Sequence, residues 1–412
     1  MKLPTDIFLK MAFVNIWRNA RRSLITILAI EVGLGGLIFL WGYKDGAAAG
    51  MLENATSLFT GHVQVHALGF DKTMSPGLTI TDPVRLIQDI QGHPEVIGIA
   101  RRVKCGVMIG TSEHSKGAML LGIDPQQEVN VTRVKSLITR GVFLSDGAKK
   151  EILLGDRLAE KLNVAVGDKV VVMVHSVDGL LTGFAYHVTG IFHAGTRILD
   201  EEVVYADIAS AQELLGIGSD VSEIVVRLND LRAMSSFLPF VNHAVDTAKY
   251  EVLTWDQAEP EAKSLADWGE GIVRVIVVAM TIVIAIGIMN TVIMSVLERT
   301  KEFGVMLAIG VKPRQLIRLV LLESFLLQCV GIGVGVFFGY SLVTYFGYVG
   351  IPLWYAADTF SAGYVSPVIY TRVYPEHVVL SVLILIVVTS VVSLYPAVRA
   401  GRLNPVAAIY RS

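Results

Sequence analysis

Four long apolar segments dominate the pattern of hydrophobic and polar positions along the chain. They cover residues 23–43, 271–297, 316–346 and 377–398, and each is apolar around the whole circumference of a helix. About 20 apolar residues in a helix cross the hydrocarbon core of a bilayer. A cleaved signal peptide is the alternative for the first segment, but its apolar region is shorter, at about 7–15 residues. The pattern therefore predicts a membrane α-helical fold with four transmembrane helices.

Between the first two apolar segments, the pattern changes to short, valine-rich stretches of alternating polarity, which are typical of strands. Helices are predicted over Pro83–Ile90 and over Asp207–Leu215, whose apolar residues fall on one face. Residues 44–270 are therefore expected to form a large α+β extracytoplasmic domain in two lobes. The predicted strands are His62–Ala67, Val96–Ile109, Lys169–Val174, Ala185–Phe192 and Ser222–Leu228.

Composition supports the membrane prediction. Hydrophobic residues make up 53% of the 412 residues and charged residues 17%, whereas a soluble domain carries about 25% charged residues. The mean hydropathy is +0.56. The two cysteines, Cys105 and Cys329, fall in the middle domain and in an apolar segment, so the sequence predicts neither a disulfide framework nor a thiolate metal site.

The placement of lysine and arginine predicts the orientation of the spans. Residues 1–22, 298–318 and 399–412 together carry 13 basic and three acidic residues. Residues 45–270 carry 19 basic and 30 acidic residues. Basic residues near spans accumulate on the cytoplasmic side. We therefore expect 1–22, 298–315 and 399–412 in the cytoplasm, and the domain 44–270 with the loop 347–376 on the other side.

Catalytic signatures are missing from the sequence. No GxxxxGK[ST] phosphate-binding loop, GxSxG elbow or HExxH motif occurs. The nine histidines are scattered without a paired ligand spacing, and Asp200–Glu202 is most simply interpreted as a solvated turn. The sequence predicts a chain that is not an enzyme, has no metal site and binds no cofactor.

The segment that follows the second span carries a family resemblance. Glu298–Ser324 (ERTKEFGVMLAIGVKPRQLIRLVLLES) resembles the signature of the FtsX-like permease domain, which the MacB and lipoprotein-releasing (LolC/LolE) transporters share. Tyr395–Tyr410 is similar to the closing pattern of that family. Glu151–Val170 and Leu121–Pro125 resemble stretches of its outer domain. The layout is most similar to that of the lipoprotein-releasing permeases.

The resemblance implies a permease subunit of an ATP-binding cassette (ABC) transporter in the bacterial inner membrane. Because the sequence starts at the first span, ATP and Mg²⁺ are expected on a separate ATPase subunit that acts as a dimer. A second copy or a homologous permease is the expected membrane partner, together with the lipid bilayer. A periplasmic carrier or adaptor is left open, and no nucleic acid is expected. The stretch His175–Phe184, which corresponds to the carrier-binding hairpin, is short.

A cytoplasmic helix after the second span is the candidate contact with the ATPase. Phe303, Met306 and Leu307 recur at helical spacing and predict an apolar knob flanked by charge. The alternative is a helix that lies on lipid headgroups, as predicted for the amphipathic helix Ile7–Arg22. The candidate ATPase-coupling residues are Glu298, Arg299, Lys301, Glu302, Phe303, Gly304, Met306, Leu307 and Gly310.

Two further patterns lie within the spans. Glu31, Asn290 and Glu323 fall at similar depth, and we expect one hydrogen-bonded cluster that is either structural or part of the moving core. Small residues recur every fourth position on the third span and allow another helix to approach closely. That face is either an internal packing surface or a dimer surface. It consists of Gly331, Gly335 and Gly339.

The function expected from these features is mechanical work across the membrane, driven by ATP hydrolysis on a partner. Extraction or export of lipoproteins or lipids is the first hypothesis. Efflux of periplasmic substrates with an adaptor and an outer-membrane channel is one alternative. FtsX-like regulation of a cell-wall hydrolase is another, although its outer domain is usually shorter than residues 45–270. A sensor of antibiotic peptides ranks last, because such permeases have more spans.

Overall fold

The computed structural model describes residues 14, 18, 20–147, 149–353 and 368–404. The chain divides into two compact units. The membrane unit comprises Met1–Ala48, Asp267–Ile351 and Ile369–Ser412, and the outer domain comprises Ala49–Ala266 with Pro352–Val368. Most of the amphipathic helix predicted over 7–22, part of the loop 347–376 and the end of the segment 399–412 lie outside the described residues.

The described residues form helices and strands in the following order. The helices are α1 (Ala20–Ala55), α2 (Phe70–Thr73), α3 (Pro83–Gln91), α4 (Pro125–Glu128), α5 (Asp156–Leu162), α6 (Arg197–Glu202), α7 (Ile208–Leu215), α8 (Met234–Ala244), α9 (Trp255–Ala258), α10 (Pro260–Glu298), α11 (Thr300–Ala308), α12 (Pro313–Val349) and α13 (Pro375–Gly401). The strands are β1 (Val63–Ala67), β2 (Val96–Gly110), β3 (Ser115–Ile123), β4 (Ile138–Gly141), β5 (Glu151–Gly155), β6 (Lys169–His175), β7 (Leu181–Phe192), β8 (Val203–Asp207), β9 (Glu223–Leu228), β10 (Tyr250–Thr254), β11 (Ile351–Pro352) and β12 (Val368–Ile369).

Four helices of the described chain are long and apolar enough to cross a membrane, namely α1, α10, α12 and α13. They contain 36, 39, 37 and 27 residues, and about 20 residues suffice for one crossing. Each includes one of the predicted spans, and α1 and α10 continue well past theirs. The prediction of a four-helix membrane fold is confirmed.

The small-residue face of α12 packs against α1 inside the membrane unit. A Cβ atom added at Gly331 would lie 2.8 Å from Ile30, and one at Gly339 would lie 3.0 Å from the Cα of Gly35. Such a close approach needs glycine, because any side chain would collide with the neighbouring helix. The structure therefore uses this face for internal packing, one of the two alternatives left by the sequence.

Ten strands form one hydrogen-bonded sheet in the outer domain. The order is β10-β1-β9-β2-β3-β8-β5-β7-β4, and β6 pairs with both β2 and β7. Most pairs are antiparallel, whereas β3–β8 and β5–β7 are parallel. Helix α7 packs closely on β3, where a Cβ at Gly122 would meet Ala211 at 2.4 Å. The prediction of a mixed α+β domain is confirmed.

The sequence prediction found half of these strands. The predicted strands correspond to β1, β2, β6, β7 and β9, and the two predicted helices correspond to α3 and α7. Strands β5 (EILLG) and β8 (VVYAD) were missed because their sequences do not alternate in polarity, and nearly every residue in them is buried. A strand that is buried on both faces has no alternation of polarity.

The prediction of a solvated turn at Asp200–Glu202 is wrong. These residues end helix α6, and Asp200 is only 1% exposed. Its carboxylate accepts hydrogen bonds from the backbone N–H groups of Ala194 and Gly195, at 2.6 and 3.0 Å. Of these three acidic residues, Asp200 is therefore a buried carboxylate that holds the loop at Ala194 and Gly195 in place.

A buried ion network lies within the outer domain. The Arg102 guanidinium, which is 1% exposed, donates two hydrogen bonds to Glu128, one to Glu223 and one to the carbonyl of Phe59. Burial raises the pKa of Glu223, but the His66 ring, 3.4 Å away, and the nearby charges of Lys104 and Arg102 outweigh this effect and lower the pKa to about 2. Such a network is expected to hold one arrangement of the surrounding strands.

The two cysteines are free thiols in different units. Cys105 is buried in the main apolar cluster of the outer domain, and Cys329 is exposed on α12. Burial raises the pKa of the Cys105 thiol to about 12.

Candidate functional site

Helix α11 is a short, separate helix between two long helices of the membrane unit. Helix α10 ends at Glu298, and α11 follows over Thr300–Ala308. Gly310 then adopts a left-handed conformation with φ of 98°, which glycine reaches without strain. Helix α12 begins at Pro313, and the Gln315 side chain accepts the N–H of Lys312 at 3.0 Å. The helical conformation is therefore broken before α11 and again after it, so α11 is a separate helix.

The apolar face of α11 that points outward differs from the predicted one. Phe303 was expected in an exposed knob, but it is 1% exposed and belongs to the apolar cluster of the membrane unit. Met306 and Leu307 are half-buried against the same cluster. The exposed large apolar residues are Val305 on α11 and Ile309 directly after it, and Ile309 is 75% exposed. The helix therefore anchors itself through Phe303 and presents Val305 and Ile309.

Arg299 joins three helices at the break between α10 and α11. Its guanidinium donates to Glu323 of α12 at 2.7 Å and to Glu302 of α11 at 3.0 Å. It also lies over the Phe303 ring, 5.1 Å from the ring centre. Arg299 and Glu323 are both buried. A planar guanidinium can hold several partners in fixed directions, so Arg299 ties the break between α10 and α11 to α12.

A second arginine extends the network to the surface. Arg18 donates two hydrogen bonds to Glu302, at 2.6 and 2.7 Å, and both side chains are about half-exposed. Partial burial raises the pKa of Glu302, but the hydrogen bonds from Arg18 and Arg299 outweigh this effect and lower it. Glu302 is therefore charged at neutral pH, and the chain of ion pairs runs from Arg18 to Glu323.

A small cavity of about 30 Å³, lined by both polar and apolar side chains, lies inside the membrane unit beside this network. Helices α1, α10, α12 and α13 all contribute to its walls. A cavity of this size has room for a water molecule where polar groups face it. Gln328 on α12 donates to Thr389 and to the carbonyl of Leu385 on α13. The polar lining includes Thr26, Ser295, Arg299, Glu323, Gln328 and Thr389.

The predicted cluster of Glu31, Asn290 and Glu323 takes a different form. Asn290 is exposed on α10, Glu31 is half-buried on α1, and the Glu323 carboxylate instead pairs with Arg299. The depth argument placed the three residues by their distance along the helices but could not give the direction of each side chain. Polar pairs that the structure brings together in the described spans include Arg299 with Glu323 and Gln328 with Thr389.

The other predicted coupling residues lie around this joint. Gly304 is buried, as Phe303 is, whereas Glu298 and Lys301 are exposed. Sequence reasoning missed Gln328, Thr389 and Arg18. An amide within an apolar run, such as Gln328, was the signal available, because a polar group in a span needs a partner.

A further polar contact joins α1 and α13 within the membrane unit. The Asp45 carboxylate lies 2.6 Å from Nδ1 of His377, and the His377 ring stacks on Trp41 at 4.3 Å between ring centres. Asp45 is buried. Asp45 and His377 are 332 residues apart in the chain, so no local pattern in the sequence links them.

Comparison with known proteins assigns both parts of the chain. Residues 274–405 match the FtsX-like permease C-terminal domain, and residues 23–237 match the MacB-like periplasmic core domain. The first match contains α11, α12 and α13. The second covers more than half of the chain.

Curated relatives extend over nearly the whole sequence. The lipoprotein-releasing system transmembrane protein LolC of Xylella fastidiosa is 23% identical over 94% of this chain and 93% of its own length. The macrolide export ATP-binding/permease protein MacB of Nitrobacter winogradskyi is 25% identical over 98% of this chain. This chain spans 60% of the length of that MacB protein.

Two solved structures show weaker similarity. The extracellular domain of the ABC-type transporter YknZ from Gram-positive bacteria aligns with 47% of this chain at a TM-score of 0.34 and 18% identity, covering 99% of the YknZ domain. The periplasmic region of MacB from Actinobacillus actinomycetemcomitans aligns with 51% at 0.36 and 13% identity, covering 95% of that region. The family matches confirm the resemblance found in the sequence. The chain belongs to the ABC transporter permeases that combine a MacB-like periplasmic core domain with an FtsX-like permease domain.

Proposed function

We propose that this permease lies in the bacterial inner membrane and passes ATP-driven movements from a separate cytoplasmic ATPase pair to its outer domain. ATP and Mg²⁺ bind to the ATPase subunits in this proposal. A second permease, identical or homologous, completes the complex. Extraction or export of lipoproteins or lipids from the membrane is the work that these movements perform.

The observation that carries the proposal is the anchoring of α11. A helix that delivers force needs one face for its partner and another fixed to the part that must move. The exposed residues Val305 and Ile309 suit a groove on a partner protein. Phe303 and Arg299 fix the opposite side of the helix to the spans. A helix that only rests on lipid headgroups would have no need of the buried ion pair.

The lipoprotein or lipid substrate is supported by the LolC relative, which aligns with this chain over nearly the full length of both proteins. Efflux is the second candidate. It is supported by the match to the MacB-like core domain and by relatives that are named for macrolide export.

Crosslinking tests the contact with the ATPase. A photoreactive residue at Ile309 is expected to capture an ABC ATPase in native membranes. The matched control is Phe337 on α12, which is exposed to a similar extent, at 76% against 75% for Ile309. We expect no ATPase from Phe337. Capture from neither position, or equal capture from both, contradicts the proposal.

Depletion of the chain tests the substrate. Accumulation of lipoproteins or lipids in the inner membrane supports the first candidate. Unchanged lipoprotein distribution with increased sensitivity to macrolides contradicts it and supports efflux. These two outcomes test only the substrate, so they do not depend on the result of the crosslinking experiment.

A further inference from the structure

Three potential metal ligands converge in the outer domain, although the sequence predicted no metal site. Asp156 begins helix α5, His193 follows strand β7, and Asp200 lies in helix α6. One ligand atom from each residue lies within 4.8 Å of the other two. Nδ1 of His193 is 2.9 Å from Oδ2 of Asp156 and 3.4 Å from Oδ2 of Asp200.

These separations suit a tetrahedral ion. Zinc binds imidazole nitrogen and carboxylate oxygen at about 2.0–2.2 Å, so two ligand atoms on a tetrahedral zinc lie about 3.3 Å apart. The two separations to His193 Nδ1 bracket that value. Three protein ligands leave a fourth position for water, and the partial exposure of Asp156 and His193 leaves a path to solvent.

Backbone hydrogen bonds hold both carboxylates in place. Asp156 Oδ1 accepts the N–H of Arg157 at 2.7 Å, and its other oxygen points to His193. The Asp200 oxygens accept the N–H groups of Ala194 and Gly195. Hydrogen-bonded carboxylates are the usual arrangement around a protein-bound metal, because the outer partners fix the direction of each ligand.

Charge favours a cation at this point. Two carboxylates face one histidine, and the Asp200 carboxylate is buried. A buried carboxylate beside a second one is unfavourable unless a positive charge compensates it. A divalent ion would replace the proton on Nδ1 and neutralise both groups. The imidazole donor selects zinc-like transition metals over Mg²⁺ and Ca²⁺, which prefer oxygen ligands.

We propose that Asp156, His193 and Asp200 bind one divalent transition-metal ion of the zinc class. The ion ties α5, α6 and the turn after β7 together within the outer domain. The proposal does not rest on the proposed transport function, since zinc binding to the purified chain is measured without ATP or ATPase.

Zinc binding to the full chain tests this inference. The protein, purified in detergent with a tag that lacks histidine, is stripped with a chelator and titrated with Zn²⁺ against a chromogenic indicator. We expect one ion per chain and an increase in the thermal unfolding midpoint. Mg²⁺ and Ca²⁺ at equal concentration should not displace it. Displacement by either ion contradicts the assignment to the zinc class.

Variants assign the ion to its ligands. His193→Gln and Asp156→Asn are each expected to weaken zinc binding at least about tenfold and to remove the thermal stabilisation by zinc. His187→Gln is the matched control, because His187 is an exposed histidine on β7, and it should bind like the wild type. Wild-type protein that binds no zinc, or a His193→Gln variant that binds normally, overturns the proposal. In that case the three residues form only an internal ion triad.

Discussion

Each unit of the molecule buries an arginine between carboxylates, and the two arrangements differ in a useful way. Every guanidinium nitrogen of Arg102 in the outer domain donates a hydrogen bond, and the side chain is buried. Arg299 in the membrane unit shares its charge between buried Glu323 and exposed Glu302, beside a small cavity. We call the Arg102 network closed because both of its carboxylates are buried. We call the Arg299 network open because one of its carboxylates, Glu302, is exposed. A closed network fixes one structure, whereas an open one can exchange partners when a neighbouring helix moves.

The largest effect expected from this comparison is the loss of Arg102. Arg102→Ala leaves Glu128 and Glu223 buried without their cation and should destabilise the outer domain by about 3–5 kcal/mol. Chemical unfolding of the purified chain, with proteolysis of the outer domain as the readout, measures the loss in the free energy of unfolding. Arg101→Ala is the matched control, because Arg101 is partly exposed and pairs with Asp124. A loss of about 0–1 kcal/mol is expected there, and equal losses would mean that the network is not closed.

Acid should weaken the outer domain through His62. The imidazole accepts the N–H of Leu228 at 3.0 Å, and burial, helped by Arg227, lowers the pKa of His62 from 6.5 to about 4. The unfolded chain therefore takes up a proton first, so stability is full above pH 6.5 and falls as the pH drops to about 4. The expected loss is about 2–3 kcal/mol. Unfolding midpoints between pH 7 and 4 measure it.

His62→Gln sharpens the pH experiment. The glutamine keeps an acceptor near Leu228 but cannot titrate, so the fall between pH 6.5 and 4 should shrink. Glu223 has a lowered pKa and weakens the domain only below about pH 4.5. An unchanged profile in His62→Gln would show that another group controls the response.

A smaller effect on stability is expected when the open network is broken. Glu323→Gln leaves Arg299 with Glu302 and with access to the cavity, so the loss should be about 1–3 kcal/mol. The coupling of ATP hydrolysis to the permease should nevertheless fall, because the charged Arg299–Glu323 pair that ties the α10–α11 break to α12 becomes a weaker neutral hydrogen bond. ATPase activity of the assembled complex measures this effect. Glu31→Gln is the control, and a Glu323→Gln complex with normal coupling would contradict the role of the joint.

The smallest effect concerns the packing of α1 on α12. Gly339→Ala places a methyl group 3.0 Å from the Cα of Gly35 and should reduce stability by roughly 1 kcal/mol. Gly333→Ala is the control on the same helix, because its Cβ meets no atom within 4 Å. Thermal unfolding in detergent compares the two variants. A Gly333 variant that loses as much as the Gly339 variant would show that the effect comes from the helix itself.

Features that depend on residues close together in the chain could be predicted from the sequence. The four spans and the break at Gly310 follow from hydropathy and from glycine and proline positions. The direction of side chains was harder to predict. The spacing of Phe303 and Met306 defined one face of α11 but could not say whether that face meets a partner or the spans.

Contacts between distant segments could not be predicted from one sequence. Glu323 was recognised as a buried polar residue in a span, but its partner Arg299 lies 24 residues earlier, at the break between α10 and α11. His193 and Asp200 are close in the chain, whereas Asp156 reaches them only because β5 and β7 are paired in the sheet. Such contacts depend on the tertiary fold, for which local pattern carries no signal.

The burial of Cys105 makes the chain convenient for site-directed labelling. A thiol with so high a pKa and so little exposure has almost no reactive thiolate at neutral pH. Replacing Cys329 alone should therefore give a background that is silent towards maleimides. Single cysteines introduced on α11 or beside α5 could then report on each unit separately.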